Sequence, residues 1–592
     1  MAEITYEFEE RHYDIVVVGG GISGVSASLA AARHGAKVAL IQNRPVLGGN
    51  ASSEVRMHIC GADYHASKTN ARETGIVEEI LLDNRLVNPQ HSFSVLDTVL
   101  WEKVTFQDNL DLFLNTHMTD VQMDNEQIVS IQAEQTSTER RFKFFAKSFV
   151  DTSGDAVLAL RAGADIRTGR EARHEYDEEL APKAADNVMM GNTLMFETKD
   201  MGYPVPFKRP EWANTYTEED LKDRSHKDIT AGYWWIELGG TDLDTTRDGE
   251  AIRDELLKAV YGIWDHIKND GDHGAENYAL DWVGMLPGKR DSRRVLGDYV
   301  LNANDLFGAQ TFEDTVAYGG WPMDMHVKDG LKSKESPTKW IETNDLYAIP
   351  YRSLYSRNIG NLFVGGRNIS ATHMAFGSTR VMATCGVIGQ AIGTAAAMTI
   401  EQSLSPRGIN DHIKELQHRL LKDDCYLFGV QDSDPANLAL KATAVASSEQ
   451  PGFEASKVIN GFQRNIGDQT NLWISEPLNG EAQSVTLTFD SAVDASELVL
   501  NFDSNLSNEI MITISKPNKE AQRSGFPLEL VKDYTIDCTL AGESVHTQTV
   551  LDNHQRHNKI SFNKKVHCDA ITLTVNATHG DPCARIFEVK AF

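Results

Sequence analysis

Hydrophobic and polar positions fall into distinct regimes along the chain. At residues 12–18, HYDIVVV is apolar and β-branched without alternation, the pattern of a strand buried on both faces of a parallel sheet. Gly19, Gly21 and Gly24 follow. Residues 23–34 are small and alanine-rich, as a helix packed close to a sheet must be, and 37–42 predict the next strand. Residues 111–150 (DLFLNTHMTDVQM, QIVSIQAEQ, FKFFAKSFVDTSGD) predict a β-meander. NLFVGG at 361–366 repeats the strand and glycine turn. RVMATCGVIGQAIGTAAAM predicts a second small-residue helix and DHIKELQHRLLKDD an amphipathic one.

Between about 165 and 350 the chain is richer in aromatic and charged residues and has no nucleotide motif, which predicts an inserted domain. After about residue 434 the period changes to two. SVTLTFD, ELVLNF, IMITIS, KISF, AITLTV and RIFEVKAF are separated by turn residues, the signature of an antiparallel β-sandwich. The expected division is 1–165 and 351–433 as two parts of one α/β domain, 166–350 inserted between them, and 434–592 as the sandwich.

Length and charge narrow the function. A chain of 592 residues exceeds one compact core. A net charge of −28 repels phosphate backbones, so nucleic acid is not expected as a partner. The acidic N-terminus MAEITYEFEERHYD lacks a signal-peptide core, and no stretch reads as long enough to cross a membrane; the expected location is the cytoplasm. None of the six cysteines forms a CxxC pair, so no zinc-ribbon, iron–sulfur or dithiol site is expected, and no metal-ligating residue is expected in the chain.

Gly19-x-Gly21-x-x-Gly24 between a strand and a helix carries the first chemistry. One glycine turns the chain, one lets backbone amides approach a pyrophosphate, and one lets helix and strand pack closely. The ribose-binding acid usual at the end of the second strand is replaced by Gln42. With the second turn at Gly48, Gly49 and Asn50, the segment DTSGDAVLALRAGA (151–164) and LFVGGRNISATHMAFGSTRVMATCGVIGQAIGTAAA (362–397), the sequence resembles FAD-dependent oxidoreductases of the glutathione-reductase/succinate-dehydrogenase type over about residues 12–425.

The resemblance implies FAD. Gly19, Gly21 and Gly24 would hold the pyrophosphate and Gln42 the adenosine ribose. Gly48, Gly49 and Asn50 would approach the phosphates and ribitol. Thr152, Gly154 and Asp155 would lie beside the cofactor, and Gly366 and Arg367 near the ribitol. The helix beginning near Arg380 would aim its N-terminus at the flavin. Some relatives tether FAD through a histidine in the region of Arg56, His58 and Cys60. No second GxGxxG occurs, so the electron acceptor is not a nicotinamide bound in a domain of its own.

A flavin needs a proton partner and a substrate clamp. His373 and Arg380 flank the start of the second small-residue helix. Lys289, Arg290, Arg293 and Arg294 cluster in the inserted region, either as substrate donors or as partners of Asp291, Asp298 and Asp305. Trp321 and His326 suit a sugar-binding wall, or, for Trp321, a core. ASSEQPGFEASKVING, NLWISE and ARIFEVKAF resemble discoidin-like (galactose-binding-like) domains. Asn460 stands where relatives often carry Asp, and a calcium ion near 454–468 is an option.

The fold expected is thus a Rossmann-type FAD-binding α/β domain with an inserted α+β substrate domain and a C-terminal antiparallel β-sandwich. The expected function is FAD-dependent oxidation of a hydroxyl on a carbohydrate-like or polyoxygenated small molecule, with His373 or His326 as base and Arg380 and Arg290 as substrate contacts. The alternatives are a fumarate-reductase-like ene-reductase and a non-catalytic carbohydrate-binding protein with a vestigial flavin fold.

Overall fold

Asp14 interrupts the first apolar run, because its carboxylate accepts the Lys37 N–H at 3.1 Å. The run therefore yields two strands in this computed structural model, which describes residues 7–62 and 67–592. The expectations placed on residues 1–6 lie outside the described residues. The elements that position the site are β1 (Phe8–His12), β2 (Ile15–Val18), α1 (Ile22–Arg33), β3 (Val38–Ile41), β4 (Leu110–Phe113), β5 (Thr116–Asp124), β6 (Gln127–Gln135), β7 (Arg140–Phe145), β8 (Ser148–Asp151), α2 (Gly249–Asn269), β9 (Leu362–Val364), α3 (His373–Thr379) and α4 (Met382–Gln402).

A five-stranded sheet runs β9-β8-β2-β3-β4 with every pairing parallel. The expected meander is shorter than read. Only β5, β6 and β7 form it, with β1 added parallel to β7, while its outer segments β4 and β8 join the parallel sheet. β8 is buried along its whole length, which an edge of a half-exposed meander does not require.

The alanine- and glycine-rich patterns are explained by contact between α1 and α4. A Cβ on Gly389 would stand 2.1 Å from Ser23 O, and one on Gly393 2.2 Å from Ala27 O, so the two helices touch backbone to backbone. α4 corrects one expectation. Its 21 residues are long and apolar enough to span a membrane, but 94% of its apolar 18-residue stretch is buried inside the protein. Its glycines and threonines dilute the run to the eye without exposing it.

In the inserted region α2 lies in a core with Trp235, Trp264, Ile236 and Leu256, surrounded by short two-stranded ribbons.

Contacts divide the chain into two compact units. One takes in the described residues up to 62, Gln90–Ile413 and Met511–Gln522. The other takes in 67–89, Lys414–Ile510 and Arg523–Phe592. The second unit holds the antiparallel β-sandwich. SVTLTFD and ELVLNF are two halves of one strand, Gln483–Phe502, and KISF and AITLTV of another, His557–Thr578. Register shifts after Thr488 and Ala495 break the alternation without ending the strands. IMITIS is buried but unpaired, and the hairpin Val531–Leu540 with Glu543–Val550 was not anticipated.

Segment 67–89 joins this unit through Arg72, which pairs with Glu78 at 2.7 Å and donates to Ser504 O and Asn505 O. Both ends of the Asn460 amide are engaged, by Asn471 Oδ1 and by the Phe462 N–H.

Candidate functional site

The two glycine turns zip together at the C-terminal edge of the parallel sheet. Gly48 N donates to Gly20 O at 2.8 Å, and Gly21 and Gly48 form a parallel bridge. Gly19 has φ +108°, and a Cβ there would lie 2.5 Å from Thr152 O. A Cβ on Gly24 would lie 1.8 Å from Gly19 O. Thr152 Oγ1 donates to Gly19 O at 2.7 Å and locks the turn from the β8 side.

Gly21 is different. Its backbone is extended, with φ −67°, and a Cβ there would meet nothing within 4 Å. Neither conformation nor protein neighbours require glycine at this position; the space beside it does.

Gln42 is buried and spent on the loops, accepting from Gly20 N at 2.9 Å and donating to Val46 O at 3.1 Å. It acts as a strut between the turns, with one donor and one acceptor of its amide engaged by the loops. Gln42→Ala leaves the Gly20 N–H and the Val46 carbonyl without these partners, a loss of about 1–2 kcal/mol of loop order. FAD affinity, read by flavin fluorescence quenching, is expected to fall about tenfold. An unchanged affinity would show that the strut is dispensable.

The remaining residues of the cofactor set gather on the same edge. Asp155 pairs with Lys289 Nζ at 2.6 Å and with Arg367. Arg367 also donates to Gly154 O at 2.8 Å and Lys289 O at 2.7 Å, and Asn50 Nδ2 donates to Lys289 O at 3.0 Å. Gly366 turns with φ +76° opposite Ser23. Ser23 Oγ is buried and makes no hydrogen bond among the described residues.

The basic run LPGKRDSRR links this cradle to a second cluster. Lys289 belongs to the cradle and Arg293 donates to Asp155 O at 3.0 Å. Arg290 turns the other way, donating to Gly191 O, Trp234 O and Thr193 Oγ1 and pairing with Glu237 at 3.4 Å. Arg294 pairs with Glu171 at 2.9 Å and lies 3.7 Å from Asp291. Asp291 is the one acid of the three weighed that the run uses; Asp298 goes to Arg407 and Tyr355, and Asp305 to Tyr299.

His326 is fully buried at its ring, with Nδ1 on Glu237 and Nε2 3.0 Å from Asp324. Asp324 also pairs with Arg380 at 2.7 Å. His373 is the first residue of α3 rather than a loop residue, because Thr372 Oγ1 caps the helix by accepting from Ala375 N. Its Nδ1 lies 3.1 Å from Asp291 Oδ2, and its N–H donates to Glu171 Oε2. Arg380 ends α3; α4 begins at Met382, and its Ala383 N–H is taken by Cys60 O.

Burial by itself raises a carboxyl pKa, yet four acids here are held below the ordinary range. Arg367 and Lys289 outweigh burial at Asp155, His326 and Arg290 at Glu237, His373 and Arg294 at Asp291, and His326 and Arg380 at Asp324. All four are therefore carboxylates at neutral pH.

His326 and His373 line one pocket of about 140 Å³ with Arg170, Lys328, Lys339, Met189, Met325 and Met374 among its walls. Arg290 and Arg380 stand behind it, in contact with the carboxylates that hold His326 rather than in the lining. Trp321 packs edge-on to Trp340 at 5.7 Å, is 5% exposed and does not line the pocket, so it belongs to the core instead of a sugar wall. Arg56 stacks on Trp282 at 4.1 Å and pairs with Glu197. Glu237, Asp324 and Glu171 were missed because isolated acids carry no spacing signal. Asp291 sits inside KRDSRR, where alternating charge already hints at internal pairing.

Residues 14–420 match the family of FAD dependent oxidoreductases, and the chain belongs to it. Over 41 residues it is 51% identical to the soluble pyridine nucleotide transhydrogenase of Marinobacter nauticus, covering 7% of this chain and 9% of that protein. Over 169 residues it is 30% identical to the tRNA uridine 5-carboxymethylaminomethyl modification enzyme MnmG of Streptococcus thermophilus, covering 26% and 25%. The chain thus spans a quarter or less of these relatives. Among solved structures, the family 32 CBM from C. perfringens NanJ, in complex with galactose, aligns with 26% of this chain and 94% of its own at 19% identity and TM-score 0.19.

The residues present fit FAD: the open space at Gly21 and the unpartnered Ser23 Oγ lie at the N-terminus of α1, where a pyrophosphate finds free N–H groups and the positive end of the helix.

Proposed function

We propose that the enzyme oxidises a hydroxyl of a small, polyoxygenated, carbohydrate-like substrate in the pocket between His326 and His373, and that His373 takes up the hydroxyl proton. The observation that carries this is the His373–Asp291 pair at the pocket wall. Asp291 Oδ2 stands 3.1 Å from Nδ1, so a small turn of the ring would place the ring proton on that carboxylate and leave the Nε2 lone pair for a hydroxyl. His326 does not suit that part, since both its nitrogens already face carboxylates. It holds Glu237 and Asp324 in place, and Arg290 and Arg380 brace those carboxylates in turn.

Lys328 and Lys339, which make no ion pair among the described residues, favour a substrate that also carries an anionic group, such as a sugar acid.

FAD would be held by the Gly19–Gly24 turn and Ser23 at its pyrophosphate, by Gly48, Gly49 and Asn50 in the facing turn, and by Gly154, Asp155, Gly366 and Arg367 on the ribitol side. Bound there, it supplies the acceptor for the carbinol hydride.

The test is anaerobic mixing of the FAD-loaded protein with a panel of polyols, neutral sugars, sugar acids and unsaturated acids. Bleaching of the flavin by sugar acids ahead of neutral sugars is expected. If no hydroxylated compound bleaches it, while an unsaturated acid reoxidises the reduced enzyme, the activity is that of an ene-reductase and the proposal is lost.

A further inference from the structure

Glu218, His226, His266 and His273 converge in the inserted region, away from the pocket lining. Their ligating atoms all lie within 4.8 Å of one another. We propose that these four residues bind one divalent transition-metal ion, with zinc favoured by the donor set of three imidazoles and one carboxylate. The sequence led to no expectation of a metal here, because the four ligands are spread over 56 residues and no CxxC pair marks them.

The geometry is that of a coordination shell. The three imidazole rings meet edge to face with centroids 5.1, 5.1 and 5.4 Å apart. A single carboxylate oxygen, Glu218 Oε2, lies 3.0 Å from His266 Nε2, 3.4 Å from His226 Nε2 and 4.0 Å from His273 Nε2. Four ligands at zinc bond lengths of about 2.0–2.1 Å form a tetrahedron with edges of about 3.3–3.5 Å. The observed separations bracket that edge.

Hydrogen bonding accounts for only part of the cluster. Glu218 Oε2 bonds His266 Nε2, while His273 Nε2 is buried and makes no hydrogen bond among the described residues. His226 Nδ1 lies 2.8 Å from Arg224 O, which holds the ring N–H at Nδ1 and turns the Nε2 lone pair toward the other rings. His266 Nδ1 lies 4.0 Å from Asp270 Oδ2 and makes no hydrogen bond among the described residues. The Arg224 carbonyl behind His226 is the kind of support that a metal-binding imidazole uses.

The site would be a staple. His266 lies in the last turn of α2, and His273 follows just after the helix. Glu218 and His226 lie in a stretch, residues 203–230, that contains no helix or strand. An ion held by all four would fasten that irregular chain to α2. The side chains of His266, His226 and His273 are 3%, 9% and 17% exposed and Glu218 is 70% exposed, so the carboxylate is the solvent-side ligand.

The experiment uses the full-length, FAD-loaded protein, dialysed against EDTA and then titrated with zinc chloride and, separately, cobalt chloride. One zinc per chain is expected by elemental analysis, with the strong visible bands of tetrahedral cobalt and a thermal midpoint that rises with free zinc. Glu218→Gln changes a largely solvated side chain and is expected to weaken zinc binding at least about tenfold. His273→Ala is expected to abolish the cobalt bands, and flavin content is expected to stay at the wild-type level in both.

Less than one zinc per chain, weak octahedral cobalt bands, or wild-type zinc binding by both variants would each overturn the proposal. The wild-type measurement decides it even if His273→Ala fails to fold.

Discussion

Gly21→Asp is expected to fold as the wild type does and to purify without FAD. Position 21 has an extended backbone that any residue adopts, and its Cβ direction is open for 4 Å. The folded chain therefore tolerates a side chain there; a bound pyrophosphate does not. An aspartate placed about 4 Å from a phosphate charge costs on the order of 4 kcal/mol at an effective dielectric constant of 20, or about a thousandfold in affinity.

Gly24→Asp is expected to behave differently. Its Cβ would overlap Gly19 O, so the turn itself must break, and stability is lost together with FAD. Flavin absorbance after purification, paired with a thermal melt of the FAD-free protein, separates the two outcomes. A Gly21→Asp protein that retains stoichiometric FAD would remove the pyrophosphate from this turn.

Replacing His373 with alanine is expected to slow anaerobic flavin reduction by substrate by about a hundredfold or more, the range for losing general-base help. FAD content is expected to hold, because His373 touches Asp291 and Glu171 and none of the residues of the glycine cradle. Added imidazole is expected to restore part of the rate, since the vacated ring volume opens onto the pocket. Asp291→Asn tests the same pair from behind: with the carboxylate gone, nothing holds the ring proton on Nδ1, and a smaller loss of rate without loss of FAD is expected. Wild-type reduction by His373→Ala would assign the proton to another group. Loss of FAD or of folding in that variant would make His373 structural.

The strands and helices of the cofactor domain were legible in the sequence because each leaves a local mark. β2 and β3 are unbroken apolar runs buried on both faces, the glycine turns have fixed spacing, and α1 and α4 carry the small residues that helix-to-helix backbone contact demands. The family follows from the order of those motifs. Pairing was less legible. The alternation of residues 111–150 predicts strands but not that β4 and β8 cross into the parallel sheet, since period-two patterning reports which faces are covered and not by which neighbour.

Nor does spacing tell a clamp from a strut. Arg290 and Arg380 read as substrate contacts and Gln42 as a ribose contact. Each also has a partner brought by the fold: Arg290 meets Glu237, 53 residues away, Arg380 meets Asp324, and Gln42 meets the two glycine loops. A buried charge must be paired, and its partner is chosen by three-dimensional proximity across segments that share no local pattern. For the same reason His373 and His326 met in one pocket, and Glu218, His226, His266 and His273 met in one cluster, only after the chain had folded. The sequence determined the fold of the cofactor domain, the family and FAD; the tertiary structure decided which of its many charged and imidazole side chains remain available for chemistry.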